Sequence, residues 1–338
     1  MAEVWVGPEP YCDYSKIQEA VDALERTWNG TADESGDVNE HLDVLYIMPG
    51  VYEEAVKIYR SYLHIKGLGE VEIRMNTCAR QKDASGQPIG TFATPTLFLG
   101  GRKIIMENIT VTNSAGQGPE IGQALAVYAH CDEAVFRYCT FKGYQDTLFT
   151  GPLPPSTKEG KPFEGIPLRE KHRICRQLYE YCVIEGTVDF IFGGAAAWFD
   201  HCQMISLPHY RGAEGYITAA STPQDQPYGY VLNRCYLSAQ GDTGPVYLGR
   251  PWRPFAKTEF VNCRMESHLH PEGWHNWDRP ENEATVIYKE WGTVSAIKNP
   301  VSRVGWAYVN SSGEGAPRRE DVLAGSEFIS KNSSGTDW

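Results

Sequence analysis

Asp189 is the first candidate for chemistry, because it is the charged side chain inside an apolar run, Val-Asp-Phe-Ile-Phe. That run lies within Glu185–Ala196 and predicts a buried strand. An ionised carboxylate in such surroundings costs several kcal/mol unless it is paired. Asp189 is therefore either a core aspartate satisfied by backbone donors or a reactive group with a charged partner elsewhere in the chain.

Two other stretches could supply that partner. Tyr144–Leu148 contains Asp146, and Leu248–Trp252 contains Arg250. Two carboxylates held close together cannot both ionise freely, so the pKa of one rises and that group becomes a proton donor. An arginine, which is always charged, would hold the other as an anion. The three side chains together predict a nucleophile or base beside an acid.

Two glutamines extend this set of candidates. Gln145 directly precedes Asp146, and Gln123 opens the stretch Gln-Ala-Leu-Ala. Side-chain amides aimed at one point stabilise an oxyanion, which forms during ester hydrolysis. A glycosidase also uses two carboxylates but develops no oxyanion. The chain has no Gly-x-Ser-x-Gly sequence, so a serine esterase of the common type is excluded.

A repeated strand pattern predicts how these residues are positioned. The pattern apolar-x-x-Cys-x-apolar recurs at irregular intervals, and one further copy carries Ile109 in the place of the cysteine. Such repeats indicate a solenoid whose coils share one wall and differ in their loops. The prediction is an all-β parallel β-helix with an internal ladder of cysteines. The copies run from Met106 to Val111, Phe136 to Phe141, Tyr179 to Ile184, Phe199 to Met204, Leu232 to Leu237 and Phe260 to Met265.

Other architectures fit less well. A (β/α) barrel needs an amphipathic helix after nearly every strand, and the middle of the chain shows none. The nine cysteines include no Cys-x-x-Cys pair, so we expect buried free thiols, with disulfides or a metal site as the weaker alternatives. His268, His270 and His275 cluster in a Pro- and Gly-containing loop, and we assign them no metal. No cofactor is expected.

The remaining segments predict one domain over residues 1–338. Ser15–Gln18 has the spacing of a capping box, and the apolar residues that follow predict a helix to Leu24. Residues 29–40 predict a surface loop, 151–172 an insertion loop with few apolar side chains, and 311–338 a tail with one short helix. A semi-rigid loop at 151–172 is expected to close one end of a cleft.

Charge and hydropathy limit the partners of the chain. Its net charge of −12 argues against nucleic acid and anionic membranes, and no run of about 18 apolar residues predicts a membrane span. The first ten residues do not resemble a signal peptide. We expect a monomer that is cytoplasmic as written, or secreted if a signal has been removed.

The motifs together resemble those of the pectin methylesterases, carbohydrate esterases built on a right-handed parallel β-helix. Ser15–Leu24 resembles the N-terminal helix of that family, which caps the β-helix, and Pro49–Glu54 resembles its Gly-x-Tyr-x-Glu motif. Gln123–Ala126, Tyr144–Leu148, Gly186–Gly193 and Leu248–Trp252 match its remaining signatures.

The resemblance implies a role for each candidate. Asp189 would be the nucleophile on the C6 methyl ester of homogalacturonan or of methylated oligogalacturonides, and Asp146 the acid and base. Gln145 and Gln123 would form the oxyanion site, and Arg250 would orient Asp189. Trp252 would stack on a galacturonate ring.

Some features depart from that pattern or leave alternatives open. The interval between Asp146 and Asp189 is longer than in plant and many bacterial members. Ile217–Pro223 replaces a plant form, so the chain resembles bacterial members. Phe149 and Phe192 are candidates for the cleft wall, with a core position as the alternative. A polygalacturonase or pectate lyase on the same fold, or a non-catalytic pectin-binding solenoid, are the competing functions.

Overall fold

The computed structural model describes residues 2–27, 42–296 and 302–334, and its strands in these ranges form three parallel sheets. The central coils each contribute one strand to each sheet in turn, and neighbouring coils pair in register. This arrangement confirms the predicted parallel β-helix. The predicted loop over residues 29–40 lies outside the described residues.

Sheet 1 has eleven strands among the described residues, and it runs the whole length of the solenoid. Its strands are Glu3–Val6, Asp43–Ile47, Leu63–Gly67, Arg102–Glu107, Asp132–Arg137, Arg176–Glu180, Ala196–Asp200, Tyr230–Asn233, Lys257–Val261, Ile287–Trp291 and Tyr308–Asn310.

Sheets 2 and 3 have nine and seven strands in the described part of the chain. The strands of sheet 2 are Gly50–Tyr52, Val71–Met75, Thr110–Asn113, Thr140–Lys142, Val183–Gly186, Gln203–Ser206, Tyr236–Ala239, Arg264–Met265 and Val294–Ser295. The strands of sheet 3 are Val56–Ile58, Leu97–Leu99, Val127–Ala129, Leu148–Thr150, Ile191–Gly193, Gly215–Ala220 and Val246–Gly249.

The turn between sheets 1 and 2 places the repeated cysteines inside the solenoid. All nine cysteines lie in the described residues and none forms a disulfide. The Sγ atoms of Cys139 and Cys182 lie 3.4 Å from the carbonyl oxygens of Met106 and Phe136, one coil away. These contacts confirm the predicted ladder of buried free thiols. Its thiols are those of Cys139, Cys182, Cys202, Cys235 and Cys263, and Ile109 takes the equivalent buried place in the coil before Cys139.

A helix over Ile17–Thr27 covers the first coils, and its apolar face is buried as predicted. The predicted capping box is wrong. The carboxylate of Glu54 accepts hydrogen bonds from the backbone N–H groups of Ile17 and Gln18, at 2.8 and 3.0 Å. The Gln18 side chain instead binds the backbone of Lys57 on the first strand of sheet 3. A carboxylate from the next coil thus replaces the local cap.

The C-terminal tail has two short helices in its described part, Arg319–Val322 and Glu327–Asn332, where one was predicted. They pack on the outer face of sheet 1, where Ile329 lies in the same apolar cluster as Trp198. Two 3₁₀ helices, Thr91–Ala93 and Pro280–Ala284, complete the regular elements of the described ranges. Within those ranges, no helix has the length and apolar character to cross a bilayer.

Candidate active site

The candidate site lies on the outer face of sheet 3, over an aromatic floor. Register places Phe149 beside Phe192, and Phe192 beside Ala219, on successive strands. Because side chains alternate between the two faces of a strand, these three point away from the solenoid interior. They belong to an outer cluster that also contains Phe92 and Tyr128. This layer forms the base of a cleft of about 650 Å³.

Asp146 and Asp189 occupy equivalent corners of successive coils. Each lies two residues before a strand of sheet 3, and those strands pair Leu148 with Ile191. Both aspartates have a left-handed backbone, with φ of 65° and 50°. Aspartate tolerates this conformation better than most residues. The strand predicted through Asp189 is therefore shorter than expected: it starts at Ile191, and Asp189 lies in the turn before it.

Arg250 binds Asp189 with a two-pronged ion pair. It follows the last strand of sheet 3, Val246–Gly249, and reaches back across the preceding coil. Its Nε donates to Oδ1 at 2.8 Å and its Nη2 to Oδ2 at 2.7 Å. The exposed side-chain fraction is 8% for Asp189 and 17% for Arg250, so water screens the pair weakly. This pair is the partner that the apolar surroundings of Asp189 required.

Two aromatic rings hold the Arg250 guanidinium between them. Its Cζ lies 3.8 Å from the ring centroid of Tyr216 and 3.8 Å from that of Trp277. Cation–π contacts of this kind favour the charged group and restrict its rotation. The sequence analysis did not assign either ring to the site. In the structure, Tyr216 is in register with Tyr247, three residues before Arg250, and the sequence carries no signal of that pairing.

Asp146 has the properties of a proton donor. It is buried, with 8% of the residue exposed. Burial raises the pKa of Asp146 well above its ordinary value of 3.8, and the charge of Asp189 raises it further, while Arg250 acts in the opposite direction. The site thus contains one carboxylate paired with an arginine and one that favours its protonated form.

Gln123 and Gln145 line the same cleft as the two aspartates. Their backbones are tied together through neighbouring coils, since Ala124 N–H donates to the carbonyl of Gln145 at 3.2 Å. Among the described residues, neither side-chain amide has a hydrogen-bond partner. Both amides are therefore available to a bound group.

The three aromatic candidates have different positions. Trp252 and Phe192 line the cleft, with ring centroids 5.6 Å apart. Phe149 is fully buried, with 0% exposed, and does not line the cleft. Its assignment to the cleft wall is wrong, because the rings of Phe92, Phe192 and Trp252 cover it. Phe149 supports the floor from beneath.

Residues 151–172 contain no helix or strand and cross the outer face of sheet 3. Phe163 lies against Phe92 and Trp252, with centroid distances of 5.3 and 6.0 Å. The Leu, Ile and Phe side chains of residues 151–172 all belong to the outer aromatic cluster, so this segment contributes more packing than its sequence predicted. These residues are Leu153, Phe163, Ile166 and Leu168. Thr157, Lys161 and Glu164 line the cleft and make part of its wall.

The described residues include no group of three or more His, Cys, Asp or Glu side chains that could hold a metal ion. The clustered histidines have separate environments. His270 stacks on Tyr247 with centroids 4.2 Å apart, and Nδ1 of His275 accepts a hydrogen bond from the backbone of Trp277 at 3.0 Å. His275 therefore supports the turn that carries one of the rings on Arg250.

Comparison with known proteins places this arrangement in a family. A family model described as Pectinesterase matches residues 3–152 and 171–330. Pectinesterase 31 of Arabidopsis thaliana is 31% identical over 305 residues, which cover 86% of this chain and 84% of the relative. The chain spans about half the length of further plant relatives whose names join pectinesterase and pectinesterase inhibitor. The bacterial origin inferred from the motifs stays a prediction.

Solved structures show the same fold. Pectin methylesterase from carrot superposes with a TM-score of 0.73 at 26% identity, covering 91% of this chain and 88% of the carrot chain. A pectin methylesterase in complex with a hexasaccharide superposes with a TM-score of 0.73 at 23% identity, covering 96% and 98%. The match of the family model leaves out residues 153–170, which lie in the segment over the aromatic floor.

Proposed function

The chain belongs to the pectinesterase family, and from that premise we propose that it hydrolyses the C6 methyl esters of homogalacturonan through Asp189, Asp146, Gln145, Gln123 and Arg250. One observation carries the assignment of roles. Asp189 is held as an anion by the fork of Arg250, while the adjacent Asp146 has a raised pKa. The substrate is methyl-esterified pectin or a methylated oligogalacturonide.

The first half of the reaction forms an acyl-enzyme. A carboxylate oxygen of Asp189 attacks the ester carbonyl carbon, and the carbonyl oxygen becomes an oxyanion that the amides of Gln123 and Gln145 stabilise. Collapse of this intermediate breaks the bond to the methoxy group. Asp146, which is protonated at this stage, gives its proton to the departing methanol. The products are an anhydride between Asp189 and the sugar acid, and an ionised Asp146.

The second half returns the enzyme to its starting state. Asp146 removes a proton from water as the water oxygen attacks the sugar acyl carbon of the anhydride. The same two amides stabilise the second oxyanion. Collapse releases the galacturonate carboxyl group and regenerates the Asp189 carboxylate, and Asp146 again carries the proton. Arg250 supports both halves, because its two hydrogen bonds keep Asp189 ionised and oriented.

The floor and wall of the cleft would hold the sugar chain. Trp252 and Phe192 present apolar ring surface, which suits the faces of pyranose rings. Because Phe149 is covered, its contribution is to hold Phe192 and Trp252 in place.

Product analysis tests the proposed function. The purified protein should release methanol from methyl-esterified pectin without forming new reducing ends or ultraviolet-absorbing unsaturated ends. New reducing ends would indicate a polygalacturonase, and unsaturated ends a lyase. Binding to pectin with none of these products would indicate a non-catalytic solenoid.

A further inference from the structure

A second groove, of about 750 Å³, lies on the outside of the turn between sheets 1 and 2. Because the solenoid has three sheets, this turn is the edge opposite the outer face of sheet 3, which carries the candidate active site. The groove crosses four successive coils, and we call it the distal groove. Its lining includes Gly50, Val51, Glu70, Asn108, Tyr138 and Lys142.

The distal groove exists because side-chain size changes abruptly between neighbouring coils. The residue before each buried cysteine of the ladder has a left-handed backbone and lies on the outside of this turn, with φ of 53° for Tyr138 and 54° for Tyr181. The preceding coil carries the smaller Asn108 at this place, and the coil before that turns here through Gly69. Tyr138 therefore stands above the coils before it and forms the end wall of the groove.

The ring of Tyr138 has one covered face and one open face. Tyr181 stacks on it with ring centroids 5.4 Å apart and ring planes within 16°. The opposite face is directed toward the coil of Asn108, and among the described residues it has no aromatic partner. Tyr138 is 55% exposed. The stack thus holds the ring in a fixed orientation and leaves a flat apolar surface toward the groove.

The backbone does not explain a tyrosine at this place. A left-handed conformation is unfavourable for a bulky side chain and is tolerated best by Asn, Asp and Gly. Asn108 and Asn262 occupy the same place in other coils. Tyr181 is accounted for by stacking on both faces, with Tyr138 and with His201. Tyr138 ends the stack, and a strained aromatic side chain that is also exposed indicates a binding role.

The rest of the distal groove is amphipathic and carries no excess of charge. Val51 adds an apolar patch that is 55% exposed. The carboxylate of Glu72 is paired with Arg74, at 2.5 Å. Glu70 and Lys142 form no salt bridge within the described ranges, and their opposite charges cancel. A flat ring, an apolar patch and one acceptor and one donor side chain suit a sugar ring with hydroxyl groups at its edge.

We propose that the distal groove is an accessory binding site for methyl-esterified galacturonan, with a pyranose ring stacked on the open face of Tyr138. The proposal rests on the proposed function and adds a contact between enzyme and polymer far from the reacting ester. A methyl-esterified residue is neutral, as the groove is, whereas a chain of free galacturonates is repelled by a protein of net charge −12. The site therefore retains the substrate polymer and releases the de-esterified product.

Kinetics on long and short substrates test the proposal. A polymer can occupy the distal groove and the cleft at once, but a trimer in the cleft cannot reach the opposite edge of the solenoid. Tyr138→Asn should raise KM for highly methylated pectin about fivefold, the size expected for loss of one aromatic stacking contact from a two-site attachment. The kcat and KM for fully methylated trigalacturonide should not change.

The asparagine should preserve the fold, because Asn108 has the same backbone conformation one coil earlier. The melting temperature checks this. Tyr308→Ala is the matched control: Tyr308 is 49% exposed and lies on the last strand of sheet 1, at the other end of the solenoid. It should keep the wild-type KM on both substrates. A KM on the polymer that is equal in wild type and Tyr138→Asn would overturn the accessory site.

Affinity electrophoresis measures binding directly, with the inactive Asp189→Asn protein run through gels that contain highly methylated pectin or de-esterified polygalacturonate. Methylated pectin should retard the protein more strongly, and adding Tyr138→Asn should reduce that retardation. Equal retardation with and without Tyr138→Asn would refute the site, and a loss confined to the de-esterified polymer would refute its preference for the neutral chain.

The two measurements separate failure of the accessory site from failure of the proposed function. Retardation that depends on Tyr138, together with no methanol from any substrate of the wild type, would refute the esterase and leave the binding site standing. Methanol release with no effect of Tyr138→Asn on KM or on retardation would support the esterase and refute the site.

Discussion

Arg250 meets Asp189 through two parallel hydrogen bonds of 2.8 and 2.7 Å, which hold the carboxylate in the plane of the guanidinium. The flat faces of that guanidinium lie against Tyr216 and Trp277, so the fork has little freedom to rotate. This geometry fixes both the charge and the direction of the proposed nucleophile.

Asp189→Asn should reduce methanol release to below about 1% of wild type, because an amide is a far weaker nucleophile than a carboxylate. It should also lower the free energy of unfolding by about 1–3 kcal/mol, since Arg250 loses its charged partner in a poorly hydrated site. Methanol assays and urea unfolding measure the two effects. Activity above a few per cent would exclude Asp189 as the nucleophile.

Asp146→Asn should be equally inactive but should stabilise the protein at neutral pH. Because the pKa of Asp146 is raised in the folded state, the folded protein keeps a proton that the unfolded chain releases. Stability is therefore lost as the pH rises from 3.8 toward the folded pKa, and asparagine removes this loss.

The asparagine also suits the left-handed backbone at position 146. Melting temperatures of the wild type and Asp146→Asn should converge at low pH and separate at neutral pH. Asp189→Asn serves as the matched control, because this substitution should lower the melting temperature of the protein. A parallel pH dependence of wild type and Asp146→Asn would contradict the raised pKa.

Gln145→Ala should lower kcat about a hundred- to thousandfold if its amide stabilises the oxyanion, with little change in the melting temperature. Gln177→Ala is the contrasting variant. Gln177 is buried and its amide donates to the carbonyls of Ala129 and Cys131 inside the solenoid, so its loss should lower stability and not kcat. A loss of less than fivefold for Gln145→Ala would make it a structural residue.

Arg250→Ala should inactivate the enzyme and leave a slot between the rings of Tyr216 and Trp277. Added guanidinium ion should restore part of the activity, because it can stack in that slot and bind both oxygens of Asp189. Methylammonium cannot form two parallel hydrogen bonds, so it should not restore activity. Rescue by both cations alike would show that only charge matters.

Phe163→Ala should lower the free energy of unfolding by about 1–2 kcal/mol, since the half-buried ring packs on Phe92 and Trp252. Glu164→Ala, at the exposed neighbouring position, is the control for stability. Replacement of residues 152–171 by a Gly-Ser linker should destabilise more strongly, because it uncovers the aromatic floor.

The same replacement tests whether the segment closes one end of the cleft. Activity on polymeric pectin should then rise relative to activity on methylated trimers and tetramers. An unchanged ratio would show that the segment does not restrict the length of the substrate.

Sequence repeats were enough to predict the architecture. A cysteine at one fixed place in each strand pattern can be buried in every coil only if the coils stack, and the structure places all of these thiols inside. Predictions from local sequence spacing were wrong where a residue of another coil supplied the hydrogen-bond partner. The helix at Ile17 has a carboxylate cap from Glu54, which lies 37 residues away and could not be found from spacing.

The sequence by itself determined the solenoid and the residue types of the site, because a fixed strand pattern and a charge inside an apolar run have few physical solutions. Only the tertiary structure decided how they meet. Strand register aligns Asp146 with Asp189, and side-chain packing places Tyr216 and Trp277 around Arg250. It also buries Phe149, because the rings of Phe92, Phe192 and Trp252 cover it. Contacts of this kind depend on distances between coils, which spacing along the chain does not encode.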